Sequence, residues 1–388
     1  MRILIIPLAA LAPTRGSQKR VELLIEGFKE AGFEVATCAA RDLNYREKDN
    51  ISNYFLETPI PMGLPSWIGR YFFQFATVTG LSRRKTVHSF DEVLFLTGTL
   101  DKTYFKKSIA SIRQAIKDYK PDLVYSEFNL SAIVAAGLED VKVFTDYSFP
   151  VQAQYACRPK LAKGVNKVLQ ELGLQEVQAA QMLFERADYK IIPSCYELEP
   201  IEGEDVLFTG PFSGKAKNRT EHLEDKPNKI IAYMGTGTIS NKQLIRELER
   251  AFLGTEYEVY IGVGGMKKHT VSNIHIAPFI DFEKLLPTTV AMIHHGGQNS
   301  MMDALRFGVP QLICPGKVFE RKYNARTMVD RGAGLMIAEQ DFCSDKIKAA
   351  LAELIREEGY RRNSEKLWQT LEGLGSVGSI VELIKNLE

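Results

Sequence analysis

The sequence predicts an α/β protein of two domains, each with a parallel β-sheet wrapped by helices. Three observations support this prediction. The chain has 388 residues, the length of about two ordinary domains. Short apolar runs alternate with helical patterns in both halves, as they do in proteins with parallel sheets. A polar, charged segment at 213–228 contains few apolar residues and is therefore predicted to be the linker.

The first half begins with a buried strand at 3–7 and a helix at 21–31, followed through Gly32 by a strand at 34–40. The pattern then predicts a helix, a strand, a helix and a strand at 108–119, 122–125, 130–137 and 141–145. Short apolar runs bounded by turn residues are typical of strands that are buried on both faces. Residues 1–212 are the predicted first domain.

The second half repeats this plan. Strands are predicted at 229–234, 257–262, 274–277, 290–293 and 310–314. Helices are predicted at 242–252, 300–307, 324–331 and 344–357. Residues 229–375 are the predicted second domain, and 376–388 form a final helix.

Composition and charge limit the kinds of binding partner and the cellular compartment that we expect for this protein. The formal net charge of +1 gives no general attraction to nucleic acid, so we expect no nucleic-acid partner. The 5 cysteines form no CxxC pair and no metal-ligand spacing, which favours a reducing compartment and predicts no metal. The N-terminal apolar run ends near Pro13 without the cleavage region of a signal peptide, and no run reaches the ~20 apolar residues of a membrane span. We therefore expect a cytoplasmic protein.

The stretch 293–310 is the most informative part of the sequence. It is predicted as a strand that passes through Gly296 and Gly297 into a helix. Such a turn directs free backbone N–H groups, and the positive end of the helix dipole, toward an anion such as a diphosphate. Alternatively, the glycines only make a tight turn, and Asn299 and Ser300 only cap the helix.

This stretch resembles the donor-binding signature of the family-1-like inverting glycosyltransferases of the GT-B fold. Their pattern is His-Gly-Gly-x-x-Ser-x-x-Glu-Ala-Leu-x-x-Gly-Val-Pro, and the chain matches it from His295 through Pro310 with Asp303 in place of Glu. The resemblance implies two Rossmann-like domains facing a central cleft, with the helix at 376–388 packing back toward the N-terminal domain. It implies inverting transfer of a sugar from a UDP or TDP donor, without a metal or other cofactor.

The resemblance also implies roles for residues of the signature. His295 faces the diphosphate, assisted by the N–H groups of Gly297, Asn299 and Ser300 and by the Ser300 hydroxyl. Asp303 accepts hydrogen bonds from the ribose hydroxyls. A lone histidine such as His295 is also compatible with a purely structural place in a turn.

Two further segments resemble parts of the donor site. Phe279 stands where an aromatic ring stacks on the base, and the turn with Gly235 and Thr236 lies near the phosphates. Glu320 accepts bonds from sugar hydroxyls, but the glutamine that usually follows is replaced by Arg321. An arginine can clasp a carboxylate, so the replacement indicates either an acidic donor sugar or a salt bridge to Glu320.

The catalytic base departs from the family pattern. Members usually have a histidine or aspartate after the first strand, where this chain has Ser17. A serine hydroxyl without assistance is too weak a base. A carboxylate elsewhere could be the base, the acceptor could be acidic enough to need little help, or the protein could be a non-catalytic relative. Glu127 and Asp146 are the candidate carboxylates because both follow strands at the edge where open α/β sheets bind ligands, although each could also be an ordinary exposed strand end.

The acceptor side is less defined. The segment 64–79 is rich in aromatics, among them Trp67 and Phe72. It is compatible with a hydrophobic acceptor pocket, a core helix, or peripheral contact with the inner face of a membrane. Arg15 and its basic neighbours could hold an anionic acceptor or form a solvated helix start. The expected acceptor is a hydrophobic or amphipathic small molecule or lipid.

Two other functions remain compatible with the sequence, and the oligomeric state is left open. The chain could be an inactive GT-B homologue that assists an active transferase, which Ser17 favours. It could also be a nucleotide-sugar hydrolase or epimerase.

Overall fold

The computed structural model describes residues 1–9, 15–41, 47–65, 67–69, 71–72, 86–212, 228–235 and 237–387, with the backbone alone for Arg15 and Gly16. These residues fall into two compact units. Unit 1 contains most of the described residues up to 212 and those from Glu372 onward, and unit 2 contains those from 228 to Leu371. The predicted linker lies outside the described residues except for Asn228.

Unit 1 is built on a sheet of seven described strands with the order β3-β2-β1-β4-β5-β6-β7. Every neighbouring pair is parallel. The strands are β1 Arg2–Pro7, β2 Glu34–Ala40, β3 Ser52–Leu56, β4 Leu123–Glu127, β5 Lys142–Asp146, β6 Tyr189–Ile192 and β7 Val206–Phe208. The sheet is thus parallel as predicted, but the apolar pattern does not identify β3, β6 and β7.

The described helices of unit 1 cover this sheet. They are α1 Arg15–Glu30, α2 Phe90–Thr97, α3 Lys102–Tyr119, α4 Leu130–Leu138, α5 Lys163–Glu171 and the C-terminal helix, α12 Val377–Asn386. The amphipathic stripe of α1, with Val21, Leu24 and Phe28 buried, has the spacing of one helix face. Helix α1 begins at Arg15, earlier than the predicted 21–31, because its first turns are polar and carry no apolar signal.

Helix α12 joins the hydrophobic core on the α1 side of the unit 1 sheet. Its Val377, Ile380 and Ile384 are buried in one cluster with Leu24 and Phe28 of α1. A Cβ atom added to Gly27 would lie only 2.5 Å from Cγ1 of Val377. The absence of a side chain at Gly27 therefore allows the two helices to pack closely.

Unit 2 has a second sheet of seven described strands with the order β10-β11-β9-β8-β12-β13-β14. The strands are β8 Lys229–Tyr233, β9 Glu258–Gly262, β10 His269–Val271, β11 Ile274–Ala277, β12 Thr289–His294, β13 Gln311–Ile313 and β14 Gly334–Met336. The pairing of β10 with β11 is antiparallel, so a short hairpin ends an otherwise parallel sheet. The prediction of a purely parallel sheet is wrong at this edge. Strand β10 is exposed, so its sequence, His-Thr-Val, has no buried apolar pattern from which a strand could be predicted.

The described helices of unit 2 are α6 Asn241–Phe252, α7 Phe282–Leu285, α8 Gln298–Arg306, α9 Phe319–Asp330, α10 Ser344–Arg356 and α11 Glu358–Glu372. The predicted helices at 242–252, 300–307 and 344–357 are found within two residues of these bounds, and α9 starts five residues before the predicted 324. None of the described helices is long and apolar enough to cross a membrane.

Both sheets reverse their strand order at one point. In unit 1 the reversal lies between β1 and β4, and in unit 2 between β8 and β12. Loops that leave such a point from the carboxyl ends of the strands diverge, so the crevice between them is where open α/β sheets bind ligands. The candidate residues of each unit follow these strands.

Candidate functional site

The switch point of unit 2 brings two glycine turns together. Gly235 follows β8 with a positive φ of 45°, and His295 follows β12. A Cβ atom on Gly235 would lie 3.2 Å from Cε1 of His295, and one on Gly237 would lie 3.1 Å from Cβ of His295. Glycine at these positions therefore lets the turn after β8 approach the imidazole of His295.

The turn between β12 and α8 is held by buried hydrogen bonds. A hydrogen bond of 2.8 Å joins Nε2 of His294 to Oε1 of Gln311. The amide of Gly296 donates to Nδ1 of His294 at 3.0 Å. Because Nδ1 accepts, the proton of the neutral ring lies on Nε2. Burial lowers the pKa of His294 to about 4, which keeps this ring neutral. Asn324 donates to the carbonyl of Gly296 at 2.8 Å, so both polar groups of Gly296 are bound.

Helix α8 begins at Gln298, directly after this turn. Gly297 is its N-cap, and no side chain caps the helix. Asn299 and Ser300 lie in the first turn, Asn299 exposed and Ser300 buried. The alternative that these two residues are only N-caps is therefore wrong. Their N–H groups belong to the first turn, where helix geometry leaves N–H groups without an intrahelical acceptor.

Two buried polar atoms have no hydrogen-bond partner among the described residues, Nδ1 of His295 in this turn and Oγ1 of Thr238 in the loop after β8. Thr238 is approached by Gly316, whose φ is 61° and whose added Cβ would lie 2.5 Å from Oγ1 of Thr238. Burial, with the charge of Arg321 and the neighbouring His294, lowers the pKa of His295 to about 3, so the ring is neutral. Buried polar atoms without partners are uncommon, which marks this position as one that a polar ligand would complete.

The other predicted donor residues lie on separate elements of unit 2. Phe279 lies in the loop after β11 and is 69% exposed. Asp303 is half-buried in the middle of α8, and Glu320 and Arg321 lie in the first turn of α9. The carbonyl of Arg321 would lie 3.0 Å from a Cβ on Gly296, so α9 packs against the glycine turn. Thr236 lies outside the described residues.

Burial also affects the charge of Arg321. It lowers the pKa of the guanidinium from its ordinary value, and the nearby carboxylate of Glu320 acts in the opposite direction. The charge of Arg321 is thus held in partly dehydrated surroundings beside His295. An anion bound near these residues would offset the free-energy cost of burying the charge of Arg321.

The switch point of unit 1 holds a cluster of charged side chains. Glu127 is the last residue of β4 and Asp146 the last of β5, and they are only 2% and 0% exposed. The hydroxyl of Ser17 donates to Oε2 of Glu127 at 2.6 Å, and the amide of Leu8 donates to the same oxygen at 3.2 Å. The structure thus brings together Ser17, Glu127 and Asp146, and the alternative that the carboxylates are exposed strand ends is wrong.

Arg20 of α1 joins the two carboxylates. Its Nη1 lies 3.0 Å from Oδ2 of Asp146 and 3.6 Å from Oε1 of Glu127. Tyr125 donates its hydroxyl to Oδ1 of Asp146. Burial raises the pKa of Glu127 to about 7, with Arg20 lowering it and Asp146 raising it. Burial also raises the pKa of Asp146, against the effects of Arg20 and Tyr125. The two carboxyl groups share one guanidinium, so their proton equilibria are coupled.

The sequence predicts no role for Tyr125 or His294, and for Arg20 it allows either contact with an anionic acceptor or a solvated helix start. The side chain of Arg20 is only 15% exposed and pairs with Asp146, so the solvated helix start is wrong for this residue. Its position three residues after Ser17 on one helix face was the available signal. Tyr125 and His294 lie in strands whose apolar pattern gave no sign of polar contacts.

The predicted acceptor residues are described only in part. Trp67 is 73% exposed, so it is not the core residue that one interpretation of the segment 64–79 required. Phe72 is partly exposed. The side chain of Arg15 and most of the segment 64–79 lie outside the described residues.

Part of unit 2 matches a known protein family. Residues 263–383 match the family described as erythromycin biosynthesis protein CIII-like, C-terminal domain. Aclacinomycin-T 2-deoxy-L-fucose transferase of Streptomyces galilaeus is 33% identical over 189 residues, which are 46% of this chain and 42% of that relative. The match thus spans less than half the length of this relative.

Solved structures show the same fold over the whole chain. The calicheamicin glycosyltransferase CalG4 superposes with a TM-score of 0.75 at 16% identity, covering 99% of this chain and 97% of that chain. The glycosyltransferase VinC, solved in complex with DTDP, gives a TM-score of 0.71 at 16% identity, with 99% of each chain covered.

Two Rossmann-like sheets and a glycine turn with its signature sequence define the class: this is a protein of the GT-B fold. The match of residues 263–383 and the similarity to these transferases confirm the resemblance that residues 293–310 predicted.

Proposed function

We propose that this protein transfers a sugar, with inversion, from a UDP or TDP sugar to a hydrophobic small-molecule or lipid acceptor. Two buried atoms without a hydrogen-bond partner among the described residues carry the proposal: Nδ1 of His295, in the turn before α8, and Oγ1 of Thr238, in the loop after β8. The names of the matching relatives, which are glycosyltransferases, support it. So does the nucleoside diphosphate bound in the structure of VinC.

The groups around the glycine turn suit a diphosphate. The first turn of α8 offers N–H groups, Thr238 offers a hydroxyl, His295 an imidazole, and Arg321 a guanidinium. These are hydrogen-bond donors and positive charge, the chemistry that recognises phosphate oxygens. We infer that they neutralise the leaving diphosphate without a metal, because Mg²⁺ prefers several oxygen ligands.

The family pattern implies which residues would bind the ribose, the base and the sugar of the donor. Asp303 would accept hydrogen bonds from the ribose, Phe279 would stack on the base, and Glu320 would bind sugar hydroxyls. Arg321 beside the glycine turn favours a sugar that carries a carboxylate, since a guanidinium binds carboxylates in a bidentate manner.

Glu127 would be the catalytic base. Its carboxylate accepts from the Ser17 hydroxyl, and its pKa of about 7 is suited to accept a proton and release it again near neutral pH. The acceptor oxygen would attack the anomeric carbon as the bond to the diphosphate breaks. A single displacement of this kind inverts the configuration at that carbon.

Calorimetry with UDP, TDP, GDP and CMP tests the donor site. We expect one diphosphate to bind the wild-type protein, and His295→Ala and Asp303→Ala to weaken binding. Gly297→Ala should also weaken it, because its Cβ would lie 2.7 Å from Nε2 of His295. Gly264→Ala is the matched control, since nothing lies within 4 Å of its added Cβ.

The same samples distinguish catalysis from an auxiliary role. Transfer to an added acceptor that survives treatment with EDTA would support the proposal. Binding of no nucleotide would contradict it. Nucleotide binding without transfer to any acceptor or to water would instead favour an inactive auxiliary protein.

A further inference from the structure

We propose that the hydroxyl of Ser17 relays the acceptor's proton to Glu127, so that the base of this chain is a serine–glutamate pair. The inference rests on the proposed function and deepens it, because it makes Ser17 a catalytic residue. Ser17 replaces the histidine or aspartate expected from the family pattern, and it has a partner that a lone serine would lack.

Access to Glu127 is the first argument. Glu127 is 2% exposed, whereas Ser17 is partly exposed. The Oε2 atom of Glu127 already accepts from Ser17 and from the amide of Leu8, and Oε1 faces the guanidinium of Arg20. Arg20 and Leu8 are also partly exposed, but among these three described contacts of Glu127 only Ser17 offers a hydroxyl, which can both accept and donate a proton.

Orientation is the second argument. Arg20 and the amide of Leu8 hold the carboxylate from two sides, which directs one lone pair of Oε2 toward Ser17. The distance of 2.6 Å between Oγ of Ser17 and Oε2 of Glu127 is that of a hydrogen bond to an ionised acceptor. A proton can move along such a bond without rearrangement of either side chain.

The transfer balances without any further reactant. The acceptor oxygen forms its bond to the anomeric carbon, and the bond between that carbon and the diphosphate oxygen breaks with its electron pair. The acceptor's proton passes to Oγ of Ser17 while the original Ser17 proton passes to Oε2 of Glu127. Ser17 is a hydroxyl before and after the step, so no free alkoxide forms, and Glu127 later returns its proton to water.

The experiment compares acceptors of different acidity. Initial rates are measured with the nucleotide sugar that binds best and with phenol or 4-nitrophenol as the acceptor, in Ser17→Ala, Ser17→Thr and Glu127→Gln. With phenol we expect S17A and E127Q each to lower kcat by about 100-fold or more, the usual contribution of a general base. The double variant should lose no more than either single variant, because both residues serve one transfer. S17T, which keeps a hydroxyl, should retain most of the rate.

The nitro group makes 4-nitrophenol far more acidic, so at mildly alkaline pH it reaches the enzyme largely ionised, and both variants should lose much less with it. Unchanged nucleotide affinity by calorimetry would show that the donor site is intact. A wild-type-like rate of S17A with phenol, when E127Q is impaired, would overturn the relay and leave the proposed function standing. A wild-type protein that transfers sugar neither to these phenols nor to water would overturn both.

Discussion

Glu127 shows how a single residue depends on charges from distant parts of the chain. Burial and the negative charge of Asp146 raise its pKa, and the guanidinium of Arg20 opposes them. The carboxylates come from the ends of β4 and β5, and Arg20 comes from α1. The charge state of the proposed base is therefore set by all three groups together.

The pH dependence of transfer follows from this arrangement. Glu127 must be ionised to accept a proton, so kcat for a phenol acceptor should fall as the pH drops below about 7. Asp146→Asn removes the negative charge that raises the pKa of Glu127 and should shift the profile to lower pH. A profile of kcat against pH for the two proteins measures the shift. An unchanged midpoint in D146N would show that Asp146 does not influence the base.

His294 gives a second prediction for a single residue. Its pKa is lowered from an ordinary 6.5 to about 4, so the unfolded chain binds more protons than the folded chain between these values. Stability that is fully present above pH 6.5 should therefore decline as the pH falls toward 4. The loss should be about 3 kcal/mol, at 1.36 kcal/mol for each unit of the shift.

Urea unfolding of unit 2 at several pH values tests this expectation. His294→Gln, which cannot titrate, should make the dependence less steep and leave the part that His295 contributes, and it should weaken nucleotide binding because Gly296 loses the imidazole acceptor of its amide. Exposed His269, changed to Gln, is the control and should leave the dependence as it is. A curve for H294Q as steep as that of the wild type would contradict the assignment.

At the level of elements, the contact between α1 and α12 depends on one small residue. Gly27→Ala places a Cβ 2.5 Å from Cγ1 of Val377 and 3.0 Å from its Cβ. Valine is stiff at χ1, so the helices must move apart. Overpacking of this kind costs about 1–3 kcal/mol, against up to ~1 kcal/mol that alanine gains over glycine in a helix.

We therefore expect G27A to lower the free energy of unfolding, and Val377→Ala to remove most of the added cost in the double variant. Chemical denaturation of the four proteins of this cycle measures the coupling. Gly378→Ala in α12 is the control, because its added Cβ meets nothing within 4 Å, and it should be neutral or slightly stabilising. Additive effects of G27A and V377A would exclude the contact as the cause.

Elements with a buried, regular pattern could be predicted from the sequence, and others could not. Strands such as β1 and β12 are continuous apolar runs, and both were predicted. The edge strand β3 has mostly half-buried side chains, which gives no such run. The polar first turns of α1 were missed for the same reason.

The residues of the candidate sites also divide into those that could be predicted from the sequence and those that could not. The positions of Glu127 and Asp146 at strand ends could be predicted because parallel strands end at one edge of a sheet. Arg20 could not, since its bond to Asp146 joins residues that are 126 positions apart. The spacing of Arg20 from Ser17 indicates a shared helix face but does not identify Asp146 as the partner. The glycine turn after β12 could be recognised because its residues are contiguous in the sequence, whereas the contact of Thr238 with Gly316 joins two separate loops.

For the whole molecule, the main feature is that unit 1 is assembled from both ends of the chain. Its core on the α1 side includes Ile380 and Ile384 of α12, which are 0% and 1% exposed. Burial of one large aliphatic side chain contributes about 1.5–3 kcal/mol. The described residues of unit 2 are Thr86 and those from 228 to Leu371, and none of them belongs to this helix.

A chain that ends at residue 375 should therefore lose several kcal/mol of stability in unit 1 while unit 2 still binds its nucleotide. Urea titration by circular dichroism and calorimetry with the nucleotide measure the two effects. A chain that ends at residue 386 keeps all of α12 and should behave as the wild type. Loss of nucleotide binding together with α12 would show that the two units are not independent in this respect.

The placement of α12 also affects how the protein is made. The strands of unit 1 leave the ribosome first, but the α1 face formed by Leu24 and Phe28 stays uncovered until unit 2 has been synthesised and α12 follows. Domains generally fold in the order of translation, and here the first unit begins to fold early and is completed last. The growing chain therefore carries an exposed apolar helix face throughout the synthesis of unit 2, and this face is where a nascent-chain chaperone would bind.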